Sequence, residues 1–273
     1  MRVLIDADIL AYEFGNMKQL EDPEQPLAWE ITRSLVDERV QQILEATKAT
    51  SHSLYLTDSK SNFRNRVATI LPYKGHRKTE KPYHWERIRQ HLIDEWDAEV
   101  QYGIEADDRL GIEQYSSYKE SAINPETSST VICSRDKDLH MIPGWHYVWP
   151  CGNQQEKFFF QVQEDAIRHF YRQLLTGDRS TDNILGLYGV GASSKLVKHL
   201  DEIDTELEMF KHVLKCYEDR FGSYATQFMY ETGALLWMLR EEPRENSSTF
   251  ENELYGRFNK LLAALEEEQN EYE

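Results

Sequence analysis

The sequence predicts an α/β fold, with a largely parallel central sheet flanked by helices and a helical lobe after it. Three observations predict this. Short apolar runs ending in aspartate recur at RVLID (2–6), SLYLTD (53–58) and TVICSRDKD (130–138). Amphipathic stretches of helical period lie between them, at 29–47, 83–96 and 107–117. Beyond about residue 164 the strand pattern gives way to helical periodicity. Strands that alternate with helices make a parallel sheet with helices on its faces. At 273 residues the chain is near the upper size of one hydrophobic core, so one main domain with a smaller lobe is expected.

The elements follow in order. The opening MRVLIDADIL has no long apolar run and no small-residue cleavage site, so it reads as a strand and not a leader. HYVWP (146–150) is expected as a further strand. A glycine-rich connection spans 177–191, and helices continue to the end, interrupted by a loop at 246–249. The closing LLAALEEEQNEYE is expected as a solvated acidic helix that frays. No apolar stretch approaches the ~20 residues of a membrane span, and a cytoplasmic location is expected, in the host if the chain is phage-encoded. Cys133, Cys151 and Cys216 are too few and scattered for a disulfide framework or a zinc site.

The net charge of −17 is unevenly spread. Between Lys60 and Arg89 nine basic residues face only Glu80 and Glu86, so this window carries +7 and the remainder −24. The block lies beside Tyr73, Tyr83, His84 and Trp85. Cations for phosphates and rings for stacking are the chemistry of a single-strand groove, although a solvated helix face would look the same.

Acidic residues form five blocks: IDAD (Asp6, Asp8), TD (Asp58), IEADD (Glu105, Asp107, Asp108), SRDKD (Asp136, Asp138) and GDRSTDN (Asp178, Asp182). In a parallel sheet the ligand crevice lies beyond the carboxyl ends of the strands, where three of these blocks fall. Any one block could be a turn, a helix cap or a surface ion pair. Together in one pocket they would repel, because two unit charges ~4 Å apart cost ~4 kcal/mol at an effective dielectric near 20. Cations or partial protonation must relieve that cost. All-oxygen donors select Mg²⁺ or Mn²⁺ over zinc, and two such ions suit in-line displacement at phosphorus. In GDRSTDNILGLYGVGASSKLV, Gly186, Gly189 and Gly191 form a tight turn before a helix starting near Ser193. Its amides, with Ser193, Ser194, Lys195 and Lys198, can grip phosphate; a helix C-cap followed by a turn is the alternative.

The ordered blocks VLIDAD, LTDSKSNFR, PYKGHRK, IEADD, VICSRDKDL and GDRSTDNILGLYGVG resemble the 5′-to-3′ exonuclease and flap-endonuclease family with its PIN-like nuclease core. Small stand-alone phage exonucleases are nearest in style. The resemblance covers residues 1 to about 200. It implies a nuclease core over 1–163 with a basic arch at about 72–100, and a lobe over 164–273 with a helix-hairpin-helix motif at about 177–200. It implies metal ligation by Asp6, Asp58, Glu105, Asp107, Asp108, Asp136, Asp138, Asp178 and Asp182, with Asp8 in a supporting place. Lys74 resembles the family's catalytic lysine and Arg77 its neighbouring arginine. Tyr73 resembles the ring that stacks near the scissile nucleotide. Lys78, Lys81 and Arg87 would line the arch, and Gly186, Gly189, Gly191, Ser193 and Lys195 would hold the duplex. The late aspartates depart from the family pattern, standing four apart where three is common.

The resemblance further implies two Mg²⁺ (or Mn²⁺) as cofactors and K⁺ at the glycine turn. It implies duplex DNA with a 5′ end or 5′ flap as substrate, extending to RNA/DNA hybrid, and a role in replication, primer removal or repair beside an unspecified replication protein. A monomer is the default. Two other readings share these features: an RNA-cleaving PIN-type endonuclease, and a catalytically silent structure-specific DNA-binding protein.

Overall fold

Val3, Leu4 and Ile5 are fully buried, so the first strand has no solvent face and must lie inside the sheet. A computed structural model describes residues 1–77, 80–121, 123–242 and 250–271 and places it there. In chain order come β1 (Arg2–Asp6), α1 (Ala7–Gly15), α2 (Trp29–Ala46), β2 (Ser51–Asn62) and α3 (Arg64–Val67). They are followed by α4 (Trp85–Trp96), β3 (Glu99–Gly103), α5 (Ala106–Glu120), β4 (Thr130–Cys133), β5 (Gly144–Val148) and β6 (Lys157–Gln161). The rest is α6 (Gln163–Thr176), a two-stranded ribbon of β7 (Gly177–Asp178) and β8 (Ile184–Leu185), α7 (Lys195–His199), α8 (Glu206–Phe221), α9 (Ala225–Leu236) and α10 (Asn252–Glu271). No described helix is long and apolar enough to cross a membrane.

The chain divides into two compact units. The first is Met1–Asn62 with Thr79–Gln161; the second is Phe63–Lys78 with Val162–Glu273. In the first, six strands form one sheet in the order β3-β2-β1-β4-β5-β6, parallel except for the antiparallel β5–β6 pair. The expected mostly parallel sheet is present. Two edge strands lie outside the runs that end in acids: β3 (EVQYG) buries only Gln101, and β6 (KFFFQ) carries three phenylalanines yet is half-exposed. Core residues Val3, Ile5, Leu54, Leu56, Val131 and Cys133 come from three adjacent strands, and Val36, Val40, Trp85, Ile88 and Leu92 from the helices packed on them.

The basic window of residues 60–89 is shared between the two units. Helix α4 turns Trp85, Ile88 and Leu92 into the first core, and its neighbour Arg89 is buried. Residues 63–77 belong to the second unit, where Arg64 is buried and donates to the carbonyls of Leu235 (2.9 Å) and Trp237 (2.6 Å). Arg64 and Arg89 therefore hold the interior, and neither adds to a basic surface.

In the second unit, α6 ends at Gly177, whose φ of +66° and close approach to Gly186 leave no room for a Cβ at either position. Glu231 of α9 accepts the amides of Thr69 (2.7 Å) and Ile70 (2.8 Å), fixing the segment that leads to Lys74. The acidic tail is not wholly solvated: α10 buries Leu254, Phe258 and Leu265. The expected loop at 246–249 lies outside the described residues. All three cysteines are free thiols.

Arg64→Met leaves two buried carbonyls without their charged donor and is expected to destabilise the fold by about 2–4 kcal/mol. Urea unfolding, with hydrogen exchange of residues 63–70 as a local readout, checks it.

Candidate functional site

The sheet order makes β1 the switch point, because the chain adds β2 and β3 on one side of it and β4 to β6 on the other. Loops at the carboxyl ends of β1 and β4 diverge there and leave a crevice. Asp6 ends β1 and is buried. The hydroxyl of Ser134, the residue after β4, donates to Asp6 Oδ2 at 3.0 Å and accepts the Asp136 amide at 3.0 Å. Asp136 Oδ1 in turn accepts the Asp138 amide at 2.9 Å. The SRDKD loop is thus wound about one serine that spans the switch point.

Burial pushes the Asp6 carboxyl up to about 8, helped by repulsion from Asp8 and Asp136 and opposed by Ser134. Burial also raises Asp8, helped by a repelling Glu105 and opposed by hydrogen bonds from Thr57 and by the Arg89 guanidinium. Arg89 pairs with Asp8 Oδ1 and donates to the Thr57 carbonyl at 2.8 Å. The Thr57 amide donates to Asp8 Oδ2 (2.9 Å), and its hydroxyl accepts the Ala106 amide (2.9 Å) at the start of α5. One threonine of β2 therefore ties the start of α1, which follows β1, and the start of α5 to the same place.

Asp58 accepts the Ser61 amide (2.9 Å) and hydroxyl (2.7 Å), which hold its carboxyl below the usual range. Glu105 and Asp108 form a capping box on α5, each carboxylate accepting the other's amide. Asp108 is fully buried, and Asp107 stands half-buried in the same turn.

Among the described residues no three acidic, histidine or cysteine side chains converge to hold a metal ion. The hydrogen bonds above give the reason: Asp8, Asp58, Glu105 and Asp108 are each turned toward a donor from the protein. The donor chemistry nonetheless fits a hard divalent cation, since all the groups are carboxylates and positive charge would remove the repulsion that raises Asp6. Holding it requires those side chains to rotate toward Asp6.

In the second unit the PYKGHR segment is docked on the GDRSTDN loop. The Lys74 amide donates to the Asp182 carbonyl (2.9 Å), and Asn183 Nδ2 to the Pro72 carbonyl (2.9 Å). The Asp182 carboxylate takes the Tyr73 hydroxyl (2.9 Å), Arg77 (2.7 Å) and Lys74 Nζ (3.7 Å). Lys74 sits at φ +54°, a left-handed conformation that lysine adopts at a cost. Asp178 accepts the Thr181 amide at 3.2 Å and the Asp182 amide bonds its carbonyl at 3.2 Å, so one extra turn residue fills the four-residue spacing.

Several expected contacts take other places. Tyr73 is buried against Asp182, and its ring lies 4.9 Å from Lys74 Nζ, so it presents no free face for stacking. Lys81 does stand among rings in the first unit, 4.2 Å above Trp85 and bonded to the Tyr12 hydroxyl (2.9 Å), with Tyr83 exposed nearby. Arg87 is exposed, 4.5 Å above the Trp29 ring. Gly186 packs against Gly177, while Gly189 (φ +79°) and Gly191 face open space. Ser193 is exposed, and Lys195 opens α7, a single turn capped by Ser194. Lys78 lies outside the described residues. Thr57, Ser61 and Ser134 are site residues that the sequence does not single out. Their signal was a hydroxyl residue beside each acidic strand end, in TDSKS and CSRD.

No protein-family model and no curated protein sequence matches the chain. Solved structures do resemble it. A bacteriophage T5 flap endonuclease, in a pseudo-enzyme–product complex with DNA and metal ions, has a TM-score of 0.50 at 16% identity. It covers 86% of this chain and 98% of that one. Bacteriophage T5 5′-exonuclease with bound zinc has a TM-score of 0.49 at 15% identity, covering 87% and 99%. At these identities the first likeness establishes the fold.

Because the folded state raises Asp6 from 3.8 to about 8, the folded chain holds that proton more tightly than the unfolded chain. The stability it contributes is full below about pH 4 and is lost as pH rises toward about 8. In chelator, the melting temperature of the wild type should therefore fall relative to Asp6→Asn across that window. A constant difference refutes the assigned ionisation. Thr57→Val, of the same shape, should cost about 1–3 kcal/mol by orphaning the Ala106 amide, read by denaturant unfolding.

Proposed function

We propose that the chain is a divalent-metal-dependent nuclease that hydrolyses DNA phosphodiester bonds at 5′ ends or 5′ flaps, leaving a 5′-phosphate and a 3′-hydroxyl. The observation that carries this reading is the buried Asp6 at the switch point, within reach of repulsion from Asp8 and Asp136. Support comes from the fold, which the chain shares with a flap endonuclease whose structure holds DNA and metal ions, and from the ordered motifs.

Asp6 and Asp136 are assigned as the central ligands, with Asp58, Glu105, Asp107 and Asp138 completing the set by side-chain rotation. Divalent cations at such a site supply Lewis acidity and an activated water for in-line attack at phosphorus. Ser134 fixes the angle between Asp6 and the SRDKD loop. Arg89 partly offsets the cost of burying the Asp8 charge and holds its carboxylate beside Thr57. Lys74 and Arg77 neutralise phosphate charge, and Asp182 is the counter-ion that positions both. The Gly189–Gly191 turn, Ser193 and Lys195 grip backbone phosphates without regard to sequence. Asp178, K⁺ at that turn, the replication role and the monomeric state remain proposals of the same reading.

One observation favours the catalytically silent DNA-binding alternative: among the described residues no three carboxylates converge. Incubation with 5′-flapped duplex DNA, in Mg²⁺ or chelator and beside Asp136→Ala, decides between them. Metal-dependent cleavage near the junction, lost in the variant, is the expected result. Tight binding with no product in Mg²⁺ or Mn²⁺ makes the chain a binding protein, and preference for a matched RNA flap makes it a ribonuclease. Lys74→Ala should lower the rate by ~10²–10³, the typical worth of one electrostatic donor; a loss under tenfold removes Lys74 from the mechanism.

A further inference from the structure

The second unit contains a cavity of about 500 Å³ partly lined by the Gly189–Gly191 turn, and its arginines and rings have no role in the proposed chemistry. That volume is of the size that encloses a small organic ligand. Its apolar wall includes Leu187, Phe221 and Phe228, the two phenylalanines stacked at 4.5 Å and inclined by 20°. Tyr188, 79% exposed, forms part of the lining, with the Arg220 guanidinium 5.7 Å from its ring. Arg179 lines it as well.

The two arginines are the informative residues. Both are exposed, and among the described residues neither has a carboxylate partner, in a chain of net charge −17. Leaving two guanidinium groups unpaired in so acidic a protein keeps them available to an anion, and their planar donors suit phosphate. Rings on the wall beside them suit a flat aromatic body. The lining offers few other polar groups: Thr232 is bonded to the Leu185 carbonyl at 3.3 Å and the Tyr217 hydroxyl to the Leu174 carbonyl at 2.7 Å.

We infer that this cavity binds a single nucleotide, its base against Tyr188, Phe221 and Phe228 and its phosphate on Arg179 and Arg220. The choice of a nucleotide among aromatic anions rests on the proposed nuclease reading. The nucleotide has two sources, a free mononucleotide or the phosphorylated end of a strand.

The test is calorimetric titration of the whole chain in chelator with dAMP, deoxyadenosine, inorganic phosphate and a 5′-phosphorylated trinucleotide. Expected is saturable dAMP binding, at least tenfold weaker for the nucleoside and for phosphate alone. Arg179→Ala and Arg220→Ala, both at exposed positions, should each weaken it about tenfold, the worth of one charge-assisted hydrogen bond pair. Shifts in the ring resonances of Tyr188 and Phe228 should accompany binding. A trinucleotide that binds as tightly and competes identifies the strand end as the source; binding of dAMP alone identifies the free product. Absence of dAMP and trinucleotide binding at millimolar concentration overturns the inference, as does binding that both variants leave unchanged. Because chelator stops metal-dependent cleavage, a protein that cleaves flaps but binds no nucleotide refutes the cavity alone. One that binds dAMP but cleaves nothing refutes the nuclease reading alone.

Discussion

The first unit is organised around the repulsion among carboxylates at the end of β1. Asp6 is buried where β1 parts from β4, and Asp8 and Asp136 both raise the cost of its charge. Burying a charge without a partner is expensive, and the surrounding hydrogen bonds are what make the arrangement tolerable. Ser134 serves Asp6, Arg89 and Thr57 serve Asp8, and Ser61 serves Asp58. These partners also set the backbone. Thr57 joins β2 to the start of α5, and Ser134 sets the course of the loop after β4. The same hydrogen bonds that quiet the acids thus fix the starts of α1 and α5 and the loop after β4 beside β2.

The second unit solves the opposite problem. Lys74, Arg77 and Tyr73 gather on one carboxylate, Asp182, and the segment bearing them is anchored by Arg64 and Glu231. A lysine at positive φ is sustained because its amide is bonded to the Asp182 backbone. On the proposed reading, Asp182 positions cations and does not sit among the metal ligands, which gives the four-residue spacing of the late aspartates a structural reason.

Much of this was legible in the sequence. The strands at RVLID, SLYLTD and TVIC, each followed by an acid, announced a parallel sheet with an acidic carboxyl edge, and α2, α4 and α5 followed from periodicity. What escaped was set by tertiary context. Edge strand β3 buries only Gln101 and so has no apolar run, while the phenylalanines of β6 stay half-exposed and no acid directly follows them. Counting charges made Arg64 and Arg89 part of a basic surface, because composition cannot tell a guanidinium that caps buried carbonyls from one that meets solvent. Tyr73 was read as a stacking ring, yet its hydroxyl has a carboxylate partner 109 residues away. Likewise Asp108 lay in an acidic block, and only the helix start shows it capping α5.

The central claim is that the acids around Asp6 are a site for hard divalent cations. Titrating Mn²⁺ into the protein at pH 8 and counting bound ions by electron paramagnetic resonance tests it most directly, with Asp6→Asn as the comparison. The account predicts saturable Mn²⁺ binding by the wild type that Mg²⁺ displaces and that the variant loses. Binding that Asp6→Asn leaves unchanged, or no binding at all, would contradict it.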